Sequence, residues 1–199
     1  LKTKQNKMPN EKKELLKKFN VIVEDLLDNY EKGLNTATLD EFFGMLRKEI
    51  VPMIEQAKKQ KPLPAFVDAE CDVNAQRVLS DYLMDVIGLD KTRCAIAETE
   101  HPFTTNFTKY DCRITTHYQE DSIAASMYSV IHEAGHGMYD MGVKDEFAYT
   151  CLGSGVSMAV HESQSRFYEN LIGRSLPFCR ALLPVMQDCF PAQMKGVTA

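Results

Sequence analysis

Apolar residues recur at three- and four-residue steps from Leu15 onward: Leu16, Phe19, Ile22, Val23, Leu26, Leu27 and Tyr30 follow it. That period puts them on one face of a helix. Asn10 can cap its start and Gly33 its end. A second helix opens at Thr38, where Glu41 three residues on completes a capping-box pattern. It carries Leu39, Phe42, Phe43, Leu46 and Ile50, and Pro52 should kink or end it. The short link predicts an antiparallel hairpin of the two helices. Residues 1–9 are lysine-rich, without apolar period, and are expected to be loose. KKQKPLP at 58–64 reads as a loop.

A third helix fits Asp72 to Ile87, with Val78, Leu79, Tyr82, Leu83 and Val86, closed by Gly88. The pattern then changes. The stretch 101–118 is rich in Thr, Phe and Tyr and alternates in places, which predicts one or two strands. Helical spacing resumes over 121–141, 156–172 and 177–189. In the first of these, Met127, Ile131, Ala134, Met138 and Met141 form a stripe for the core. In the second, Val156, Val160, Phe167 and Leu171 form another. The fold class is therefore mainly α with a short sheet. The pattern does not decide whether front and back halves pack as one unit or two.

Charge and composition narrow the function. The net charge is -5, and phosphate binding needs a basic surface, so nucleic acid is not an expected partner. The early lysines, among them Lys12, Lys13, Lys17 and Lys18, read as a solvated helix face. Apolar runs are far shorter than the ~20 residues that span a membrane. The six cysteines are widely and irregularly spaced, with no CxxC pair, and read as free thiols of a reducing cytoplasm.

All five histidines lie between positions 101 and 161. Among them stands His132-Glu133-Ala134-Gly135-His136, an HExxH pattern known as a zinc-protease signature. Four residues advance a helix by about 400°, so the two imidazoles sit about 40° apart and can grip one metal. Glu133 is displaced by about 100° from His132 and can reach a metal-bound water without being a ligand. Ala125 and Ser129 share the histidine face, leaving room for substrate. Gly135 stands mid-helix, where it costs about 1 kcal/mol relative to alanine. Something must pack close to the backbone there.

A catalytic zinc takes three protein ligands and keeps one position open. The third ligand must come from downstream: Asp145, Glu146, His161, Glu162 and Glu169 are candidates. Spacing places Glu162 first but leaves the others open. Glu162, Arg166 and Glu169 share a helix face, which equally allows a plain i,i+4 ion pair from Glu162 to Arg166. Asp140 could orient His136, or be a solvated helix-end residue. Arg113 could bind a substrate carboxylate, or pair with Asp111. His101 and His117 are candidates for core or strand positions, and His161 for a neighbour of the metal ligands.

Four motifs occur in order: His101-Pro102-Phe103, then Asp111-Cys112-Arg113-Ile114-Thr115, then the HExxH helix, then His161-Glu162-Ser163-Gln164-Ser165-Arg166. With HPF, DxRxT, HExxH and HESQSR in place, the chain resembles the thermostable carboxypeptidase (carboxypeptidase Taq) family of metallopeptidases. The resemblance implies a mostly helical fold of the gluzincin type, related to angiotensin-converting enzyme and neurolysin. It implies a long groove with a short sheet along it and the metal at its floor. It makes Glu162 the third ligand beside His132 and His136, with zinc or cobalt as the metal and Glu133 as the catalytic base. The implied activity removes single residues from peptide C-termini; the implied partners are a peptide substrate and a second copy of the chain, as homodimers are usual in the family. Two downstream family motifs, of the IRxxAD and GxxQDxHW types, do not occur, and the chain begins with Leu1. Residues 1–199 are accordingly expected to be a single catalytic-core fragment of a longer cytoplasmic enzyme. Its 1–100 portion supplies the hairpin and packing helices, and 101–199 the strands and metal-site helices. The alternatives are an endopeptidase of the oligopeptidase type and a catalytically incomplete metal-binding fragment.

Overall fold

A computed structural model describes residues 9–60 and 70–198. The expected loose start at 1–8 and most of the 58–64 loop lie outside these residues. The chain divides into two compact units, residues 1–63 and 64–199.

The first unit is a helical pair, α1 (Asn10–Tyr30) and α2 (Thr36–Ala57). Pro9 takes the N-cap position and Asn10 is already helical, because a fixed φ near −60° suits the entry to a helix. The link turns at Gly33, whose φ of 86° is open to glycine without strain. Helix α2 opens two residues before the expected Thr38. Its cap is Asn35, whose side chain accepts a hydrogen bond from the Thr38 amide. The Glu24 carboxylate accepts from the Thr36 amide at 3.1 Å and ties the two helices together. Pro52 does not end α2, which runs five residues past it. Neither helix buries any residue: Leu15, Phe19, Phe42 and Phe43 of the apolar stripes are all exposed.

The second unit begins with α3 (Val73–Ile87), capped by the Asp72 carboxylate at the Asn74 amide and closed by Gly88 at a φ of 88°. Three strands follow: β1 (Cys94–Glu98), β2 (Thr104–Thr108) and β3 (Asp111–Thr116). The 101–118 segment supplies two of them, as expected. β1 was not expected, because CAIAE is too short to show a period. The sheet order is β1-β3-β2, with β1 parallel and β2 antiparallel to the central β3.

Then come α4 (Ile123–Met141), α5 (Met158–Arg166), a π-helical turn over Phe167–Gly173, and α6 (Leu176–Cys189). Serines 122, 157 and 175 cap the three α-helices. The core gathers on α4. Its Met127, Ile131, Ala134 and Met141 are buried as the stripe predicts, among Leu79 and Leu83 of α3, Cys112 and Ile114 of β3, and Leu182 and Met186 of α6.

The stripe expected on 156–172 is overturned. Val156, Val160, Phe167 and Leu171 face outward, and Ser165, Glu169 and Gly173 are the buried residues. The reason is a close helix crossing. A Cβ on Gly135 would lie 2.7 Å from the Ser165 Cα, so α5 meets α4 through its smallest residues. The cost of a mid-helix glycine is explained by this approach.

Candidate metal centre

The crossing at Gly135 and Ser165 sets Glu162 opposite the two histidines of α4. Glu162 Oε1 lies 3.7 Å from His132 Nε2, and Oε2 lies 3.3 Å from His136 Nε2. One ligand atom from each of the three falls within 4.8 Å of the others. The alternative ion pair is present as well, since Arg166 Nε donates to Glu162 Oε1 at 2.8 Å. A carboxylate has lone pairs for both roles.

Each imidazole is held through its other nitrogen. His132 Nδ1 donates to Glu169 Oε2 at 2.9 Å, because a carboxylate can only accept. Glu169 is gripped in turn by Arg174 at 2.7 Å and Arg166 at 3.3 Å. Burial works against its charge, but the bonds from Arg174 and His132 prevail and keep its pKa below the usual carboxylate range. The π-helical turn carries Glu169, and such turns often occur at functional sites.

His136 Nδ1 meets His161 Nδ1 at 2.6 Å, and His161 Nε2 lies 2.9 Å from the buried carboxylate of Asp140. Asp140 therefore does not touch His136 directly, nor is it a solvated helix end; it anchors the histidine that does. Its bond raises the His161 pKa. Burial, and then the neighbouring charges of His161 and His132, push His136 down to about 4. His136 is therefore neutral near pH 7, as a metal ligand must be. Gly155 makes room for His161, for a Cβ there would stand 2.8 Å from its ring.

Glu133 is not one of the three grouped ligands and is 6% exposed. Burial raises its pKa, opposed by a 2.6 Å hydrogen bond from Thr104 Oγ1. Two clefts adjoin it. One, of about 610 Å³, runs past Ala125, Ser129 and His132 to Arg166 and Arg174. The other, of about 330 Å³, runs past Thr104 and His136 to His161. His101, Pro102, His132 and Glu133 line both.

The remaining candidates fall elsewhere. Asp145 bonds Lys109 and Tyr110, and Glu146 lies near Lys144. Arg113 pairs with Asp111 through two bonds of 2.9 Å and covers the Phe107 ring, the pairing that the sequence offers as the alternative. His117 contacts the Thr99 carbonyl. The pairing of Glu169 with His132 and the contact from Thr104 to Glu133 have no sequence signal of their own. Both depend on the fold bringing distant residues together, although Thr104 directly follows the HPF motif.

Two imidazoles with Nε2 directed at one point, plus a carboxylate, form a donor set that fits a zinc-type ion with a position to spare. The fixed Nδ1 partners of both rings fit it too.

Known proteins similar to the chain are metallopeptidases and carboxypeptidases. The family model described as Carboxypeptidase Taq (M32) metallopeptidase matches residues 4–199. Carboxypeptidase 1 of Bacillus subtilis is 35% identical over 87% of the chain, and thermostable carboxypeptidase 1 of Pyrococcus furiosus 34% identical over 83%. These matches cover 35% and 34% of the two relatives, so the chain spans about a third of their length. Among solved structures, an M32 carboxypeptidase from Deinococcus radiodurans superposes with a TM-score of 0.83 at 35% identity. That match covers 88% of this chain and 35% of the other.

Proposed function

The chain belongs to the carboxypeptidase Taq (M32) family of metallopeptidases, and from that premise we propose that it is the core segment of a metal-dependent carboxypeptidase removing single residues from peptide C-termini. The observation that carries this reading is the convergence of His132, His136 and Glu162 on one point, with Glu133 buried beside them where two clefts meet. An endopeptidase would use the same groups; the relatives' names favour the carboxypeptidase. A peptide is the substrate in this reading, and nucleic acid and membrane have no part. A cytoplasmic setting and a homodimer of the longer protein belong to it as well, on the family resemblance. Among the described residues no helix is long and apolar enough to cross a membrane.

His132 and His136 through Nε2, and Glu162 through a carboxylate oxygen, would hold one divalent ion, zinc or cobalt. When bound, such an ion supplies Lewis acidity, polarising a peptide carbonyl and acidifying water. The side chains do the rest. Glu169 and His161 keep both rings turned with Nε2 inward. Glu133 takes a proton from the attacking water and returns it to the departing amine nitrogen. Its raised pKa brings it closer to the working pH, which suits a group that must both accept and release a proton.

Mass spectrometry of one peptide with free and amidated C-termini, incubated with the metal-loaded chain, tests the reading. Stepwise loss of single residues from the free peptide alone is expected, and Glu133→Gln should abolish it while keeping the metal. Internal cleavage would support the endopeptidase. No cleavage by chain that holds its metal would support the incomplete fragment, which a chain spanning a third of its relatives makes a specific second reading.

A further inference from the structure

We propose that Thr104 is a positioning residue that holds the Glu133 carboxylate in its working place, and that Thr115 in turn fixes Thr104. The inference rests on the reading of Glu133 as proton acceptor. A glutamate has three rotatable bonds, and general-base catalysis requires its oxygen within hydrogen-bond reach of one water. Burial alone does not choose the rotamer. Among the described residues, Thr104 supplies the hydrogen bond to this carboxylate, with Oγ1 2.6 Å from Oε2. The bond spans 29 positions of sequence and joins the first residue of β2 to the middle of α4.

The placement of Thr104 is itself built. Thr115 accepts from the Phe103 amide through Oγ1 at 2.8 Å and donates from the same oxygen to the Phe103 carbonyl at 3.0 Å. The Thr115 amide donates to that carbonyl too, at 2.9 Å. Three bonds thus pin the main chain immediately before Thr104, and Thr104 itself stands opposite Ile114 in the ladder. Thr115 is buried although it points to the side of β3 where Arg113 is exposed, and these bonds explain it. The HPF and DxRxT motifs, which the metal does not use, meet here. Phe103 and Thr115 form the mount, and Thr104 carries the contact. Asp111 and Arg113 satisfy each other on the outside.

The hydroxyl suits a group that shuttles a proton. Thr104 Oγ1 lies 2.6 Å from Glu133 Oε2 and 3.0 Å from the Glu133 main-chain oxygen, and it has one proton to donate. When the carboxylate is ionised, that proton goes to Oε2. When Oε1 holds the water's proton, Oε2 is the carbonyl oxygen of the acid and still accepts from Oγ1. The contact persists in both states.

The test uses Thr104→Val, which keeps the β-branched shape, and Thr104→Ser, which keeps the hydroxyl. Crystal structures of both zinc-loaded variants, their zinc affinities, and kcat and KM on a free peptide are measured. The valine variant should show the Glu133 carboxylate turned away or spread over several rotamers. Its kcat should fall about ten- to a hundredfold, as for a lost hydrogen bond to a charged group. KM and zinc affinity should hold within about twofold, and the serine variant should recover most of the lost kcat. An unchanged single Glu133 rotamer in the valine variant would overturn the proposal, as would a loss of zinc parallel to the loss of kcat. Should Thr104→Val not fold, Thr104→Ala is read by the same criteria. If the native chain turns nothing over, the carboxypeptidase reading of this segment fails, while the rotamer and the zinc affinity still decide the role of Thr104.

Discussion

Two mid-helix glycines separate the two units. Gly44 in α2 has open space where a Cβ would go, and its helix buries nothing. Gly135 in α4 has the Ser165 main chain within 2.7 Å of that position. The first helix carries a strong apolar period with no buried residue; the partner of α4, helix α5, turns its apolar residues outward and packs by its small ones. An apolar period therefore identifies a face without saying what covers it. In α5 the packed face is chosen by the close approach of Ser165 to Gly135.

Substituting the two glycines breaks the comparison most sharply. Gly135→Ala must push α5 away from α4, and Glu162 with it. Unfolding in urea should show a loss of at least about 2 kcal/mol, and calorimetry a large fall in zinc affinity. Retention of native zinc affinity would mean that the crossing does not set the site.

Glu169→Leu probes the support of a single ligand. It leaves His132 Nδ1 without its acceptor, and zinc affinity measured by chelator competition should fall about 10–100-fold. An unchanged affinity would show that the ring needs no such anchor.

The two histidines that meet at Nδ1 should titrate apart in the metal-free chain. Unfolded histidines protonate near about 6.5. Native His136 does so only at about 4, so its share of stability is lost as pH falls from 6.5 towards that value. Native His161 has a raised pKa, so its share is complete below 6.5 and lost as pH rises through the folded value. Ring NMR should find one midpoint on each side of 6.5. Coincident midpoints would contradict the assignment.

The smallest effect is expected from Gly44→Ala. With nothing to displace, it should stabilise α2 by about 0.5–1 kcal/mol through helix propensity. A loss of stability would reveal a neighbour of α2 at that point.

What the chain discloses in advance follows the range of the forces involved. Helix α3 was legible at its end and to within one residue at its start, Val73, because Asp72 and Gly88 act locally. His132 and His136 were legible because one helix turn sets their spacing. The core stripe of α4 was legible because a central helix has its apolar face covered. β1 was missed, for five residues without alternation resemble any apolar run. The buried face of 156–172 was misread because the Ser165–Gly135 crossing and the π-helical turn belong to tertiary packing. Glu169 was visible only as one of several candidate ligands; its partner, His132 Nδ1, lies 37 positions away. Thr104 gave no signal for the same reason.

His132, His136 and Glu162 are expected to hold one metal ion, with Glu133 beside it and not on it. Anomalous diffraction at the zinc edge from crystals of the zinc-loaded chain tests this directly. The account predicts one strong peak within bonding distance, about 2.0–2.2 Å, of His132 Nε2, His136 Nε2 and a Glu162 oxygen, with both Nδ1 atoms still on Glu169 and His161. A peak bonded to Glu133 or to His161, or no peak between the two helices in crystals that contain zinc, would contradict it.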